Sequence, residues 1–211
     1  MSTSVAVIDY GMGNLHSVSK ALSKVGADNV ILTDDSATLL AAERVIFPGV
    51  GALRDCIHAL KSRGLDDVIR QCAQEKPVLG ICLGMQALFE HSEENDGIDG
   101  LGLIKGNVRR FQRTKEAPEI KIPHMGWNEV SQHQAHPMWE EIAQNSRFYF
   151  VHSYYVDAAQ DEVISGETSY GTKFTSAVAQ GNLFAVQFHP EKSQASGLRL
   201  LANFLKWNGC E

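Results

Sequence analysis

Pro77-Val78-Leu79-Gly80-Ile81-Cys82-Leu83-Gly84-Met85-Gln86 runs from an apolar segment through a cysteine held between two glycines. Residues 78–81 carry no polar side chain, which reads as a strand buried on both faces and therefore parallel to its neighbours. Gly80 and Gly84 suit a sharp strand-to-helix turn with Cys82 at its apex, and residues 83–90 then read as a helix with Leu83, Ala87 and Leu88 apolar. A thiol at a helix N-terminus meets free backbone amides and the positive end of the dipole, both of which favour the thiolate. Taken alone, a G-x-C-x-G match is a weak signal, because a buried cysteine is usually a small hydrophobe.

Upstream, strands and helices alternate. Val5-Ala6-Val7-Ile8 is a first buried strand, and Asn14 is placed to cap a helix that ends at Gly26. Val30-Ile31-Leu32 is a second strand, and Asp34, Asp35 and Ser36 are cap candidates for a short helix before Val45-Ile46-Phe47. Residues 53–60 and 65–72 read as helices broken at Gly64. Downstream, residues 91–100 read as a polar loop. Short strands follow from Leu103, at 147–155, 162–167, 173–175, 177–180 and 183–188, with Gly181-Asn182 as a hairpin turn between the last two. A helix over 195–207 closes the chain, with Leu198, Leu201, Ala202 and Leu205 on one face. The pattern predicts an α/β fold: a doubly wound, mostly parallel sheet flanked by helices, with antiparallel strands added in the C-terminal half. No linker or repeat interrupts residues 1–211, which read as one domain. A site is expected at the carboxyl ends of the parallel strands, where Cys82 falls.

Phe188-His189-Pro190-Glu191 supplies what a cysteine nucleophile lacks. Residues two apart on a strand face the same way, about 6.5 Å apart, so Glu191 would reach the distal nitrogen of His189 and fix its tautomer. Pro190 stiffens the link. Cys82, His189 and Glu191 thus offer nucleophile, general base and orienting acid for acyl transfer through a thioester. Such a reaction also needs donors for an oxyanion. The amide of Leu83 is one candidate. The loop Pro48-Gly49-Val50-Gly51 supplies the other, where Gly49 and Gly51 let the backbone turn an amide inward, with that of Val50 expected to do so.

At these residues the chain resembles the class I, or triad-type, glutamine amidotransferases, over essentially its whole length. The resemblance implies hydrolysis of the glutamine side-chain amide through a γ-glutamyl thioester on Cys82, with release of ammonia and glutamate and no cofactor. Residues 8–15 (Ile-Asp-Tyr-Gly-Met-Gly-Asn-Leu), 123–128 (Pro-His-Met-Gly-Trp-Asn) and 149–155 (Tyr-Phe-Val-His-Ser-Tyr-Tyr) are similar to the glutaminase-subunit branch of the imidazole glycerol phosphate synthases. By that resemblance Gln86 helps bind L-glutamine, Glu94 meets its α-ammonium group, and His152, Ser153 and Tyr154 lie beside it or its backbone clamp. For His152, a satisfied core histidine is an equal alternative. The resemblance further implies a heterodimer with a (β/α)8 cyclase subunit that takes the ammonia through a channel. Asn14, Trp127, Tyr149 and Lys192 would lie at that interface, and partner-dependent control would act on Gly49-Val50-Gly51. A free-standing amidase, a non-catalytic regulatory subunit, and an amidotransferase serving another synthase (anthranilate or pyridoxal phosphate) are the competing readings.

Composition narrows the classes. A formal net charge of −6 and scattered Lys and Arg argue against a nucleic-acid surface, with Arg109-Arg110-x-x-Arg113 and Lys115 reading as a solvated or subunit face. No apolar run is long enough to span a bilayer, and Met1-Ser2-Thr3-Ser4 has no basic leader region. Cys56, Cys72, Cys82 and Cys210 form no disulfide framework, and a catalytic thiol needs a reducing compartment, so a cytoplasmic location is expected. Gly11-x-Gly13 fails as a dinucleotide fingerprint because residue 16 is His16. His133-x-x-His136 has no third ligand nearby and reads as a loop pair, so no metal is expected.

Overall fold

The computed structural model describes residues 4–113 and 117–209, so the expectations for Met1 to Thr3, Lys115 and Cys210 lie outside the described residues. The buried runs of the N-terminal half form the strands Ser4–Ile8 (β1), Asn29–Thr33 (β2), Arg44–Gly49 (β3) and Val78–Cys82 (β4). Helices Leu15–Lys24 (α1), Ser36–Ala41 (α2), Leu53–Ser62 (α3), Leu65–Glu75 (α4) and Leu83–Ala87 (α5) connect or follow them. Asp35 caps α2, its carboxylate accepting from the Thr38 amide at 2.7 Å. Asn14 sits before α1 but makes no side-chain cap bond, contrary to expectation.

The chain then continues through Phe89–Ser92 (β5), Ile98–Asp99 (β6), Ile104–Arg110 (β7), His124–Gln132 (β8), Ser146–His152 (β9), Tyr154–Ala158 (β10), Ile164–Tyr170 (β11), Thr172–Gln180 (β12), Leu183–Val186 (β13) and Gln194–Lys206 (α6). Strand order is β2-β1-β3-β4-β13-β12-β10-β7-β5-β6, with β11 pairing β12 and β8, and β8 pairing β9. The ladders from β2 to β13 are parallel, and β12, β10 and β7 follow antiparallel. The fold is the expected α/β sheet with antiparallel strands added after its parallel half.

Strand alternation sorts the core into two layers. Ala6, Ile8, Val45, Phe47, Val78 and Ala185 pack on one face with α2 to α5, whereas Val5, Val7, Ile46, Leu79, Phe184 and Val186 pack on the other with α1 and α6. α6 buries Gly197, Leu200, Leu201, Phe204 and Leu205, so Leu201 and Leu205 of the expected face are buried, whereas Leu198 and Ala202 are only half-buried.

Several boundaries differ from expectation for identifiable reasons. α5 stops at Ala87 instead of Glu90, because the amides of Leu101, Leu103 and Ile104 bond back to the carbonyls of Ala87 and Leu88 and draw the next residues into β5. Residues 91–100, expected as a loop, contain the end of β5, a 3-10 turn and β6. Residues 147–155 are two strands broken at Ser153, with β9 pairing β8 and β10 pairing β7. Residues 172–180 are one strand, and β7 and β8 carried no recognised signal.

Candidate active site

Cys82 ends β4 and precedes the first helical residue of α5 with φ 55° and ψ −109°. A non-glycine residue held there stores roughly 1–3 kcal/mol of backbone strain. The sharp turn therefore sits on the cysteine, and the flanking glycines do something else. A Cβ on Gly84 would lie 1.9 Å from the Phe47 carbonyl oxygen, and one on Gly80 would lie 2.9 Å from Ala185 Cβ. They let α5 and β13 close on the elbow.

β13 lies parallel to β4 with Val186 opposite Ile81, so the chain leaves the sheet three residues before His189, at the same edge as Cys82. β3 borders β4 on its other side, with Gly49 opposite Cys82. Three neighbouring strand ends thus deliver the loop, the thiol and the histidine to one place. His189 Nδ1 lies 2.8 Å from Glu191 Oε1, and the two side chains are only 3% and 1% exposed. Strand alternation does not bring them together as expected: β13 ends at Val186, and a 3-10 turn, Pro190–Lys192, folds the carboxylate back onto the ring. With Nδ1–H donating to Glu191, Nε2 remains, buried and without a hydrogen bond of ordinary geometry among the described residues. Burial would push the imidazole down, but the neighbouring Cys82 thiol and Glu191 carboxylate outweigh it and hold His189 up at about 10. The arrangement favours the imidazolium form of His189 beside Cys82.

The Pro48–Ala52 segment is tied at both ends by distant side chains. Tyr10, buried against Phe47, donates its hydroxyl to the Pro48 carbonyl at 3.0 Å, and burial raises its ionisation so that it stays a donor. Glu94 Oε2 accepts from the Leu53 amide, the first residue of α3, at 2.7 Å. Gly49 has no room for a side chain, since its Cβ would lie 2.7 Å from the Tyr10 hydroxyl, and Gly51 has φ +96°. A cavity of about 360 Å³ opens here, lined by Val50, Gly51, Cys82, Leu83, Gln86, Glu94, His152, Ser153, Tyr154, His189 and Lys192. That size suits a small metabolite. Every expected catalytic and substrate-binding residue falls on its wall, save Gly49, one position before Val50, and Glu191, behind His189.

His152 contributes a ring to that wall, both of its nitrogens being bonded inside the protein. Nδ1 lies 2.7 Å from the Tyr154 carbonyl, and Nε2 lies 3.0 Å from Nδ1 of His124. Burial pushes His152 down to about 3 and His124 to about 4, so both are neutral near pH 7. Gln86 spends its amide nitrogen on the Tyr154 carbonyl at 3.0 Å and on Gln187 Oε1 at 2.9 Å. The expected interface residues are spread over several surfaces, Trp127 lining a separate hollow with Arg147 and Ser193. Lys192 lines the cavity, and Asn14 lines an adjoining crevice together with Gly49, Val50, His189 and Glu191. Trp127, 43% exposed, stands edge-on to Tyr149 beside the exposed Met125.

The remaining polar expectations resolve simply. Arg109 pairs with Asp157, and Arg113 donates to the Ile120 carbonyl. His133 pairs with Glu167 while His136 accepts from the Met138 amide, and no metal-binding cluster occurs among the described residues. Among those residues no helix is long and apolar enough to cross a membrane. Sequence reasoning missed Tyr10, His124 and Gln187. For Gln187 a signal was present, a single amide side chain inside the apolar run Leu183 to Phe188.

Residues 6–207 match the family described as glutamine amidotransferase class-I. The chain belongs to that family. This amidotransferase is 58% identical over 210 residues to "Imidazole glycerol phosphate synthase subunit HisH" of Methylococcus capsulatus, covering 97% of each chain. It is 57% identical to the subunit of that name from Nitrosococcus oceani, covering 98% of this chain and 99% of that one. Among solved structures it resembles PurLQS from Thermotoga maritima, with a TM-score of 0.73 at 20% identity over 98% of this chain and 99% of the other. At that identity the likeness is one of fold.

Proposed function

We propose that this chain is the glutaminase subunit of an imidazole glycerol phosphate synthase, acting in histidine biosynthesis, and that Cys82, His189 and Glu191 carry its chemistry. The supporting observation is the buried His189–Glu191 pair set beside a strained, cavity-facing Cys82 at the ends of adjacent strands. The relatives' names support the pathway, and residues 1–211 act as one amidotransferase domain in this reading.

His189 accepts the Cys82 proton, and the thiolate adds to the side-chain carbonyl carbon of glutamine. The S–C bond forms as the C=O pair moves onto oxygen, where the amides of Leu83 and the 49–51 loop receive it. Collapse breaks the C–N bond, and His189 protonates the leaving nitrogen as ammonia. His189 then deprotonates water for attack on the thioester, and loss of the thiol gives glutamate. Glu191 keeps the imidazole oriented and stabilises its charged form. Glu94 offers a carboxylate to the α-ammonium group, while Gln86, His152, Ser153 and Tyr154 shape the rest of the glutamine subsite.

Ammonia released alone would be lost to solvent, so the reading includes a partner, the cyclase subunit with the (β/α)8 fold. Asn14, Trp127, Tyr149 and Lys192, with the exposed Met125 and Val50, are the proposed contact residues. A thiol nucleophile needs reducing surroundings, which favours the cytoplasm. The deciding experiment measures glutamate release by this chain alone and again with the cyclase subunit and its nucleotide ligand. A large rise only in the full mixture supports the reading. No rise, with Cys82 still labelled by a glutamine-like diazo ketone, keeps the amidotransferase but assigns it another synthase.

A further inference from the structure

We propose that Gln187 is a further catalytic residue, whose side-chain amide donates to Cys82 Sγ and stabilises the attacking thiolate. The inference rests on the assignment of Cys82 as nucleophile. Gln187 follows β13 in an otherwise apolar run and is fully buried. A buried amide costs free energy unless both its ends are bonded. Its Oε1 accepts from Gln86 Nε2 at 2.9 Å, and its Nε2 lies 3.7 Å from Cys82 Sγ.

Which end of this amide faces the sulfur is decided by one backbone atom. The Tyr154 carbonyl can only accept, and it does so from His152 Nδ1 at 2.7 Å and from Gln86 Nε2 at 3.0 Å. Gln86 must therefore present nitrogen, and the second N–H of that nitrogen requires an oxygen from Gln187. The opposite end of Gln187, at Cys82, is then NH2. Turning either amide over would set donor against donor or lone pair against lone pair. The same carbonyl keeps a proton on His152 Nδ1, so Nε2 accepts from His124 Nδ1, whose own Nε2 accepts from Asn128 Nδ2 at 3.3 Å. Gln86, which alone links the Tyr154 carbonyl to Gln187, is in this sense a positioning residue.

A donor aimed at sulfur acts selectively, because an N–H bond to a thiolate is charge-assisted and one to a thiol is weak. α5 spans only five residues, so the helix end that the sequence suggests as thiolate stabiliser is short. Gln187 and His189 together take over that task.

The test uses Gln187→Met and Gln187→Leu, which keep an apolar side chain of similar bulk and remove the donor. Alkylation of Cys82 by iodoacetamide is followed against pH on the full chain and assigned by peptide mass. Glutamate release is measured with the cyclase subunit and its ligand. The alkylation midpoint is expected to move up by about one pH unit, with kcat near pH 7 falling about tenfold and KM for glutamine held within about threefold. A midpoint unchanged in both variants overturns the proposal. So does a fall in kcat that merely follows the fraction of thiol alkylated at high pH, which would make Gln187 a packing residue. Should alkylated wild type still release glutamate, the assignment of Cys82 fails first, whatever Gln187 does.

Discussion

At Cys82, φ 55° and burial leave the thiol at the apex of a turn that no ordinary side chain adopts without cost. Replacing Cys82 by Ala should abolish glutamate release, yet the complex should still form product from added ammonium salts. Loss of that ammonium-dependent activity as well would tie Cys82 to assembly. His189→Ala should lower glutaminase turnover by about 10²–10⁴-fold, the usual worth of a positioned base. A near-normal rate would place the base elsewhere. Both changes disable the same nucleophile and base, so the double variant should be little worse than Cys82→Ala alone.

The connections between elements carry their own consequences. Glu94 reaches across 41 positions to hold the first amide of α3, directly after the 48–52 loop, while its side chain also lines the cavity. Glu94→Ala should cost about 1 kcal/mol, as loss of a helix cap does, and raise KM for glutamine. Denaturant unfolding and steady-state kinetics read the two effects separately, and a stability loss without a KM change would remove Glu94 from the substrate subsite. Gly84→Ala should be worse for the fold. Its methyl would meet the Phe47 carbonyl at 1.9 Å, and backbone at that distance must move. An overpacking cost of about 1–3 kcal/mol should lower the thermal midpoint by several degrees, together with the alkylation rate of Cys82. An unchanged midpoint would mean that α5 has room to shift.

Four buried histidines set how the whole molecule responds to pH. His124, His136 and His152 are pushed down by burial to about 4, 4 and 3, below the ordinary value of 6.5. The unfolded chain binds their protons first, so stability falls as pH drops below about 6.5 toward 3–4. His189 goes the other way. With its pKa at about 10, its contribution is full below about 6.5 and is lost as pH rises toward 10. The thermal midpoint should therefore peak near pH 6.5. Glu191→Gln should flatten the alkaline side of that curve and leave the acid side unchanged. An alkaline arm as steep as in the wild type would show that the ion pair is not its source.

Much of this protein was legible along the chain. Apolar runs of three or four residues placed β1 to β4, and the 3.6-residue period placed α3, α4 and α6, because burial on a strand or a helix face is a local pattern. Cys82, His189, Glu191 and the Pro48–Gly51 loop stood out because glycine, proline and reactive side chains cluster where a chain turns at a site. β7 does alternate, with Ile104, Gly106 and Val108 inward, but the short period was not read; β8 gave no clear one, and α5 was read too long because its end is set by bonds from Leu101, Leu103 and Ile104. Nothing local says that β13 lies against β4, or that Gln187 meets Cys82 across 105 positions. Those pairings arise when two apolar faces are covered at once, and the orientation of Gln187 follows from a carbonyl on β10 that can only accept. Residue chemistry is written in the order of the chain; which groups touch is settled by burial and hydrogen-bond completion across it.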